Sequence, residues 1–121
     1  MNDPDLRLAL EKIVSPRILV VGDLMLDHYS WGEVDRISPE APIPIMRVLR
    51  EDQRLGGAGN VVMNLSVLGA EVLVCGVTGK DETGNTIRKL LAENVVDYSG
   101  VIVADNYKSC LKHRMIAGQT H

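Results

Sequence analysis

The chain has 121 residues, enough for one domain at most, and 45% are hydrophobic against 24% charged, an ordinary balance for a soluble globular protein. Thirteen Lys and Arg against sixteen Asp and Glu leave a formal charge of −3 with no Lys/Arg cluster, which argues against a nucleic-acid partner. One Trp, three Tyr and no Phe require an aliphatic core.

From the N-terminus, Asp3 followed by Pro4 reads as an N-cap with proline at the first helical position. Leu6, Leu10, Ile13 and Val14 then share one helical face, and Ser15-Pro16 ends the helix. This mixed-charge start does not read as a signal peptide, and no apolar run approaches the roughly 20 residues of a membrane span. Ile18-Leu19-Val20-Val21 is a continuous apolar run before Gly22, the pattern of a strand buried on both faces of a parallel sheet.

Between Tyr29 and Leu55 the character changes. Pro39, Pro42 and Pro44 exclude a helix and argue against a central strand, so edge strands projecting from the main body are expected. Gly56-Gly57-Ala58-Gly59-Asn60 opens a helix with Val61, Leu65 and Leu68 on one face and Gly69 just past its end. Val72–Val77 is a second buried-type strand, Asp81 caps a helix through Ile87, Leu90 and Leu91, and Val101-Ile102-Val103 is a third run. Ser109–Ala117 reads as extended, with Lys112 and Arg114 on one face and Leu111, His113 and Met115 on the other. The alternation predicts an α/β layer with right-handed crossovers. The chain runs out of its last strand into Gln119-Thr120-His121 with no closing helix.

Three segments bear on chemistry. Asp23 and Asp27 follow the first buried strand, where open α/β sheets bind ligands, and an ionised carboxylate accepts hydrogen bonds from sugar hydroxyls. Either residue equally well caps a turn. Gly56, Gly57 and Asn60 offer close backbone approach, first-turn amides and an amide side chain matched to a hydroxyl; an ordinary glycine turn is the alternative. The Gly79-Lys80 pair fails as a phosphate loop, because that pattern requires Gly at 74 and Ser or Thr at 81, where Val74 and Asp81 stand. Cys75 and Cys110 lack a C-x-x-C partner and read as reduced thiols of a cytoplasmic protein. His28, His113 and His121 have no metal-ligand spacing with one another or with the cysteines.

Together these segments resemble the ribokinase-like (PfkB-type) sugar kinases. The signature is Gly56, Gly57, Asn60, Gly69 and Gly79, with Val62 departing from the usual small residue. Within that family the chain is most similar to the N-terminal part of bacterial kinases acting on a heptose 7-phosphate. That likeness rests on Ile18–Asp27, on Arg36-Ile37-Ser38-Pro39-Glu40-Ala41-Pro42-Ile43-Pro44 and on Lys112–Ala117, with His28 and His113 departing from an expected Arg and Thr. Gly57-Ala58-Gly59-Asn60 is one residue from the Gly-Ala-Gly-Asp that carries the family's catalytic base, but an amide accepts no proton at neutral pH and the segment comes too early.

The resemblance implies a three-layer α/β/α body, present only in part, with a small projecting β-sheet lid from residues about 29–55 and 108–117. It implies transfer of the γ-phosphoryl of ATP, assisted by Mg²⁺, to D-glycero-D-manno-heptose 7-phosphate, on the ADP-heptose route to lipopolysaccharide core. Asp27, Gly56, Gly57 and Asn60 would bind sugar hydroxyls, and Asp23 would lie nearby. Arg114 and Lys112 would face the substrate phosphate, with plain solvation the alternative. The nucleotide site and base would belong to a C-terminal half outside this chain, leaving it without turnover alone. Many relatives carry a nucleotidyltransferase domain further on. The lid would pair two subunits, covering Trp31, Ile43, Ile45, Met46 and Val48. A kinase for another sugar, or a non-catalytic sugar- or partner-binding module, are the other readings.

Overall fold

The computed structural model describes residues 2–118, apart from the side chains of Asp35 and Arg36; the expected unclosed end at 119–121, with His121, lies outside the described residues. In chain order the elements are α1 (Asp3–Glu11), β1 (Arg17–Val21), β2 (Leu24–Ile37), β3 (Pro44–Gly57), α2 (Ala58–Val67), β4 (Glu71–Gly79), α3 (Glu82–Ala92), β5 (Val96–Ala104) and β6 (Cys110–Gly118). They form two three-stranded sheets, ordered β1-β4-β5 and β3-β2-β6.

The first sheet is the parallel core of the body. Its register runs from Arg17↔Glu71 to Val21↔Cys75 and from Val72↔Val96 to Gly79↔Ala104. The three apolar runs form it as anticipated, the strands exceeding them by one residue in β1, three in β4 and six in β5. Helices α2 and α3 connect its strands, and their Val62, Ile87 and Leu91 join Val72 and Val74 in the core, all at most 1% exposed. Each such side chain contributes about 1.5–3 kcal/mol by leaving water.

The expectation that β1 is buried on both faces does not hold among the described residues. Ile18 and Val20 face the helices, but Leu19 is 58% and Val21 72% exposed on the opposite side. Both buried helices join the core on one face of the sheet, so the described residues supply the sheet and one of its two helical layers. α1 does not supply the other, since it buries none of its residues and Leu6, Leu10, Ile13 and Val14 all stay exposed. Its cap is also displaced by one residue. Asn2, rather than Asp3, is the N-cap, its side chain accepting from the Asp5 N–H at 3.0 Å.

Of the expected face of α2, Leu65 packs against the core but Val61 and Leu68 do not, so the helix is rotated from that face. Gly59 and Val62 are its buried residues, whereas Val61 and Leu68 are 48% and 82% exposed. Gly59 packs so closely on Leu55 that an added Cβ would come within 2.9 Å of the Leu55 Cβ. The small residue, not the larger apolar ones, therefore sets which face meets the sheet. The helix ends as its glycine implies: Gly69 has φ +95°, and the Gly69 and Ala70 N–H groups donate to Ser66 and Leu65 carbonyls.

The second sheet is the projecting lid. β2 and β3 form a long antiparallel hairpin, and β6 returns parallel to β2. Pro39 and Pro42 lie in the irregular tip between the strands and Pro44 starts β3, so β2 is central in this sheet without a proline in it. The strand begins at Leu24, earlier than residue 29. Asp27 is consequently a lid residue, not part of a loop at the body's edge. Leu24, Leu26 and Leu55, at the root of the hairpin, are buried in the same core as the body helices.

Candidate functional site

Strand alternation sorts the lid into two faces. One carries Met25, Asp27, Tyr29 and Trp31 on β2, with Gly56, Arg54, Asp52 and Arg50 across from them on β3. On β6 the register adds Cys110, Lys112, Arg114 and Ile116 to that face. The other face carries Leu24, Leu26, His28 and Ser30, with Leu55 on β3 and Leu111 and His113 on β6.

Asp27 sits centrally on the first face, half-buried between Arg54 and Lys112 in the register. Its carboxylate occupies the space where a side chain at 56 would begin: a Cβ there would lie 2.7 Å from Asp27 Oδ2. The glycine is therefore required by the carboxylate above it. Among the described residues no ion pair involves Asp27, because the adjacent Arg54 Nε points to Asp52 Oδ2 at 2.6 Å. Acceptor positions on Asp27 are left for hydroxyl donors.

Gly57 lies where both hairpin strands meet the body. It has φ +57°, and an added Cβ would come within 2.5 Å of the Asp23 carbonyl oxygen, so any other residue is strained there. The same carbonyl accepts from the Ala58 N–H at 2.8 Å. This takes up one of the first-turn amides that the sequence offers to a ligand, and it gives Asp23 a backbone role at the junction. The Asp23 side chain is exposed. Asn60, in the first turn of α2, is exposed and lines a cavity of about 270 Å³ with Gln53, Arg54, Met63, Leu90 and Asn94; Asp27 does not line it. α2 has no side-chain cap, so Asn60 is not spent on capping.

Lys112 and Arg114 share the face of Asp27, both exposed. The Arg114 guanidinium lies 5.7 Å from the Tyr29 ring centroid and that of Arg54 lies 5.3 Å from it. Arg50 covers Trp31 at 4.0 Å. The face thus carries one carboxylate without an ion-pair partner, Asp27, and a second, Asp52, paired with Arg54, beside Lys112 and three arginines held over aromatic rings, chemistry suited to hydroxyls and an anionic group together. Arg50, Asp52 and Arg54 escaped the sequence reading, although their alternation along an extended segment was the available signal.

A clamp at the root of β6 was also missed. Asp81 caps α3 by accepting from the Gly84 N–H at 2.7 Å, as anticipated, but its other oxygen accepts from the Ser109 N–H at 2.9 Å. Ser109 is buried, and its hydroxyl accepts from the Gly79 N–H at 2.8 Å. The Ser109 N–H and hydroxyl, then the Gly84 N–H, hold the Asp81 carboxyl below the usual carboxylate range. No local pattern links residues 81 and 109; the parallel return of β6 brings them together.

Among the described residues no three His, Cys, Asp or Glu side chains cluster as metal ligands. Nor is any described helix long and apolar enough to cross a membrane. His28 and His113, unrelated by spacing, are direct register neighbours with stacked rings 4.4 Å apart.

A family model for pfkB family carbohydrate kinases matches residues 15–121. The bifunctional protein HldE of Citrifermentans bemidjiense is 50% identical over 117 residues, covering 97% of this chain and 24% of that protein. The D-beta-D-heptose 7-phosphate kinase of Bordetella bronchiseptica is 49% identical over 109 residues, covering 90% of this chain and 34% of that protein. The chain thus spans between about a quarter and a third of the length of these curated relatives. Among solved structures, fructokinase from Xylella fastidiosa aligns with TM-score 0.63 at 25% identity, over 83% of this chain and 28% of that one. Arabidopsis thaliana ribokinase, complexed with ribose and ATP, aligns with TM-score 0.65 at 20% identity, over 87% and 33%, and shares the fold.

Proposed function

The chain belongs to the pfkB family of carbohydrate kinases, and from that premise we propose that it is the sugar-holding part of a kinase for D-glycero-D-manno-heptose 7-phosphate. The observation that carries this reading is Asp27: a carboxylate without an ion-pair partner, seated over Gly56 and flanked by Lys112 on the face that also carries Arg114. Near 50% identity to a D-beta-D-heptose 7-phosphate kinase supports the choice of sugar phosphate.

In the reaction, a sugar hydroxyl oxygen attacks the γ-phosphorus of ATP, the bond to the β-phosphate oxygen breaks, and ADP leaves. The hydroxyl proton passes to a base outside this chain. What these residues contribute is orientation. Asp27 accepts hydrogen bonds from hydroxyls, Gly56 and Gly57 let the ring approach the backbone, and Asn60 is free to pair with a further hydroxyl. Lys112 and Arg114 are the partners for the sugar's existing phosphate, while the Asp23 carbonyl fixes the junction beneath.

Mg²⁺ would neutralise charge on the transferred phosphates, but these residues do not fit a magnesium or nucleotide site. Asp81, the acid in the Gly-Lys turn, is engaged by Gly84 and Ser109. Our reading assigns both groups to residues outside this chain, which then binds its acceptor without turnover. It also assigns the lid to a contact with a second copy. Ile43 is 57% and Val48 46% exposed there, with Trp31, Ile45 and Met46 half-buried. Two free cysteines suit a cytoplasmic setting.

The test is calorimetric titration of the chain with D-glycero-D-manno-heptose 7-phosphate. Saturable binding is expected, weaker with ribose 5-phosphate and lost in Asp27→Ala. Binding that survives in Asp27→Ala, or none to any sugar phosphate by a folded chain, overturns the proposal.

A further inference from the structure

The face of the lid opposite Asp27 carries a second arrangement that sugar binding does not use. His28 on β2 and His113 on β6 are paired in the register, and their rings stack at 4.4 Å between centroids with 11° between planes. The His113 Nε2 is 2.8 Å from the hydroxyl of Ser30, which is 1% exposed. The His28 Nε2 is buried without a hydrogen-bond partner, 3.6 Å from Glu51 Oε1 on β3. Parallel stacked rings direct their nitrogen lone pairs side by side and not toward a common point, so the pair is not arranged to chelate a metal.

We propose that the stacked His28–His113 pair is a proton switch that releases β6 from the lid in acid. Histidine is the side chain whose charge ordinarily changes between about pH 5 and 8. A first proton is accommodated, because an imidazolium at His28 has Glu51 beside it and a neutral ring above it. A second places like charges on rings in contact. The charged groups able to answer are few. On β3 there is Glu51, already serving His28, and Gln53 is neutral. On α3, Glu82 lines a cavity of about 210 Å³ with His28, beside the neutral Thr83 and Thr86. On β6, Lys112 and Arg114 belong to the opposite face and are themselves cationic. Once both nitrogens of His113 carry protons, its contact with the Ser30 hydroxyl is confined to one direction, with His113 donating.

Among the described residues β6 is an edge strand, bonded in this sheet to β2 alone. Repulsion across that pairing is relieved by separating the two strands. Lys112 and Arg114 leave with β6, so acid weakens the phosphate contacts; this consequence rests on the proposed function, whereas the strand opening does not.

The experiment is amide hydrogen exchange by NMR on the 121-residue chain, corrected for the intrinsic pH dependence of exchange. Protection of Leu111–Ala117 is compared with that of β4. From about pH 7.5 to about pH 5, β6 protection should fall about ten-fold relative to β4. In His113→Phe, which keeps a stacked ring but cannot be charged, the ratio should stay constant. Wild-type β6 protection that tracks β4 throughout overturns the proposal without any variant, and so does an equal loss in His113→Phe. Because no ligand is present, this outcome is independent of whether the chain binds a sugar phosphate.

Discussion

Replacing Gly56 with alanine should disable the Asp27 carboxylate without substituting it. The added Cβ would lie 2.7 Å from Asp27 Oδ2, 2.9 Å from its Cγ and 3.0 Å from Oδ1, all too close to be kept. The obstructing atoms are the end of a side chain, not backbone, so the carboxylate is what moves. Position 56 lies in β3 and is not among the residues with positive φ, so alanine fits the backbone there. Removing glycine from a strand gains about 0.5–1 kcal/mol. Driving Asp27 off its rotamer costs about 0.5–1.5 kcal/mol. The two nearly offset, and the melting temperature should change little. Binding should not escape, because a hydroxyl that loses a charged acceptor forfeits about 1.5–3 kcal/mol. That corresponds to about a ten- to hundred-fold weaker Kd. Calorimetric titration of Gly56→Ala with the heptose phosphate, alongside a thermal melt, separates the two effects. If Gly56→Ala binds like the wild type while Asp27→Ala does not, the space over residue 56 does not position the carboxylate and the reasoning fails.

Asp81→Asn should lower the melting temperature at neutral pH, since an amide cannot accept from both Gly84 and Ser109. The Asp81 carboxyl is held below its ordinary value in the fold, so its contribution is full above the unfolded pKa of about 3.9 and disappears as pH falls through the lower folded value. Melts at pH 7 and near pH 2 should therefore show a gap between wild type and variant that closes in acid; a gap independent of pH contradicts the assignment. Val62→Ala should cost about 2 kcal/mol in chemical denaturation, because Val62 is 0% exposed and the space it leaves is not refilled. A loss below about 0.5 kcal/mol would mean that valine crowds this helix, where small residues are usual in the resembling family.

Much of the body was legible because its signals are local. The runs Ile18–Val21 and Val72–Val77 form parallel strands, Gly69 ends α2, and Asp81 caps α3, each decided within a few residues. Burial was less legible because it depends on what arrives from elsewhere. Leu19 and Val21 have the composition of a doubly covered strand, yet among the described residues no helix covers their side. The face of α2 was misjudged for a related reason: hydrophobicity favours Val61 and Leu68, but close approach to Leu55 is possible only at Gly59. For the site, residue identity pointed to Asp27, Gly56, Gly57 and Asn60. It did not reveal that Gly56 makes room for Asp27, because that follows from the register Met25↔Gly56. The Asp81–Ser109 clamp and the His28–His113 pair depend on β6 returning beside β2, a long-range pairing that no window of sequence contains.

The three lid strands enter the body by different devices, and this difference decides where a perturbation can reach the site. β2 and β3 are anchored by Leu24, Leu26 and Leu55 in the common core, and their roots are crossed by the Ala58 N–H bond to the Asp23 carbonyl. Displacing them means opening the core, at about 1.5–3 kcal/mol for each leucine. The root of β6 is polar instead, held by Ser109 between Asp81 and Gly79, and Leu111 beyond it is 46% exposed. Hydrogen bonds of this kind contribute about 0.5–1.5 kcal/mol each, more where a carboxylate accepts. Asp27 and Gly56 are therefore set on the part of the lid that moves only with the body. Lys112 and Arg114 are set on the strand with the weakest hold. On the proposed reading, a lid built this way keeps Asp27 and Arg54 fixed while Lys112 and Arg114 move with β6.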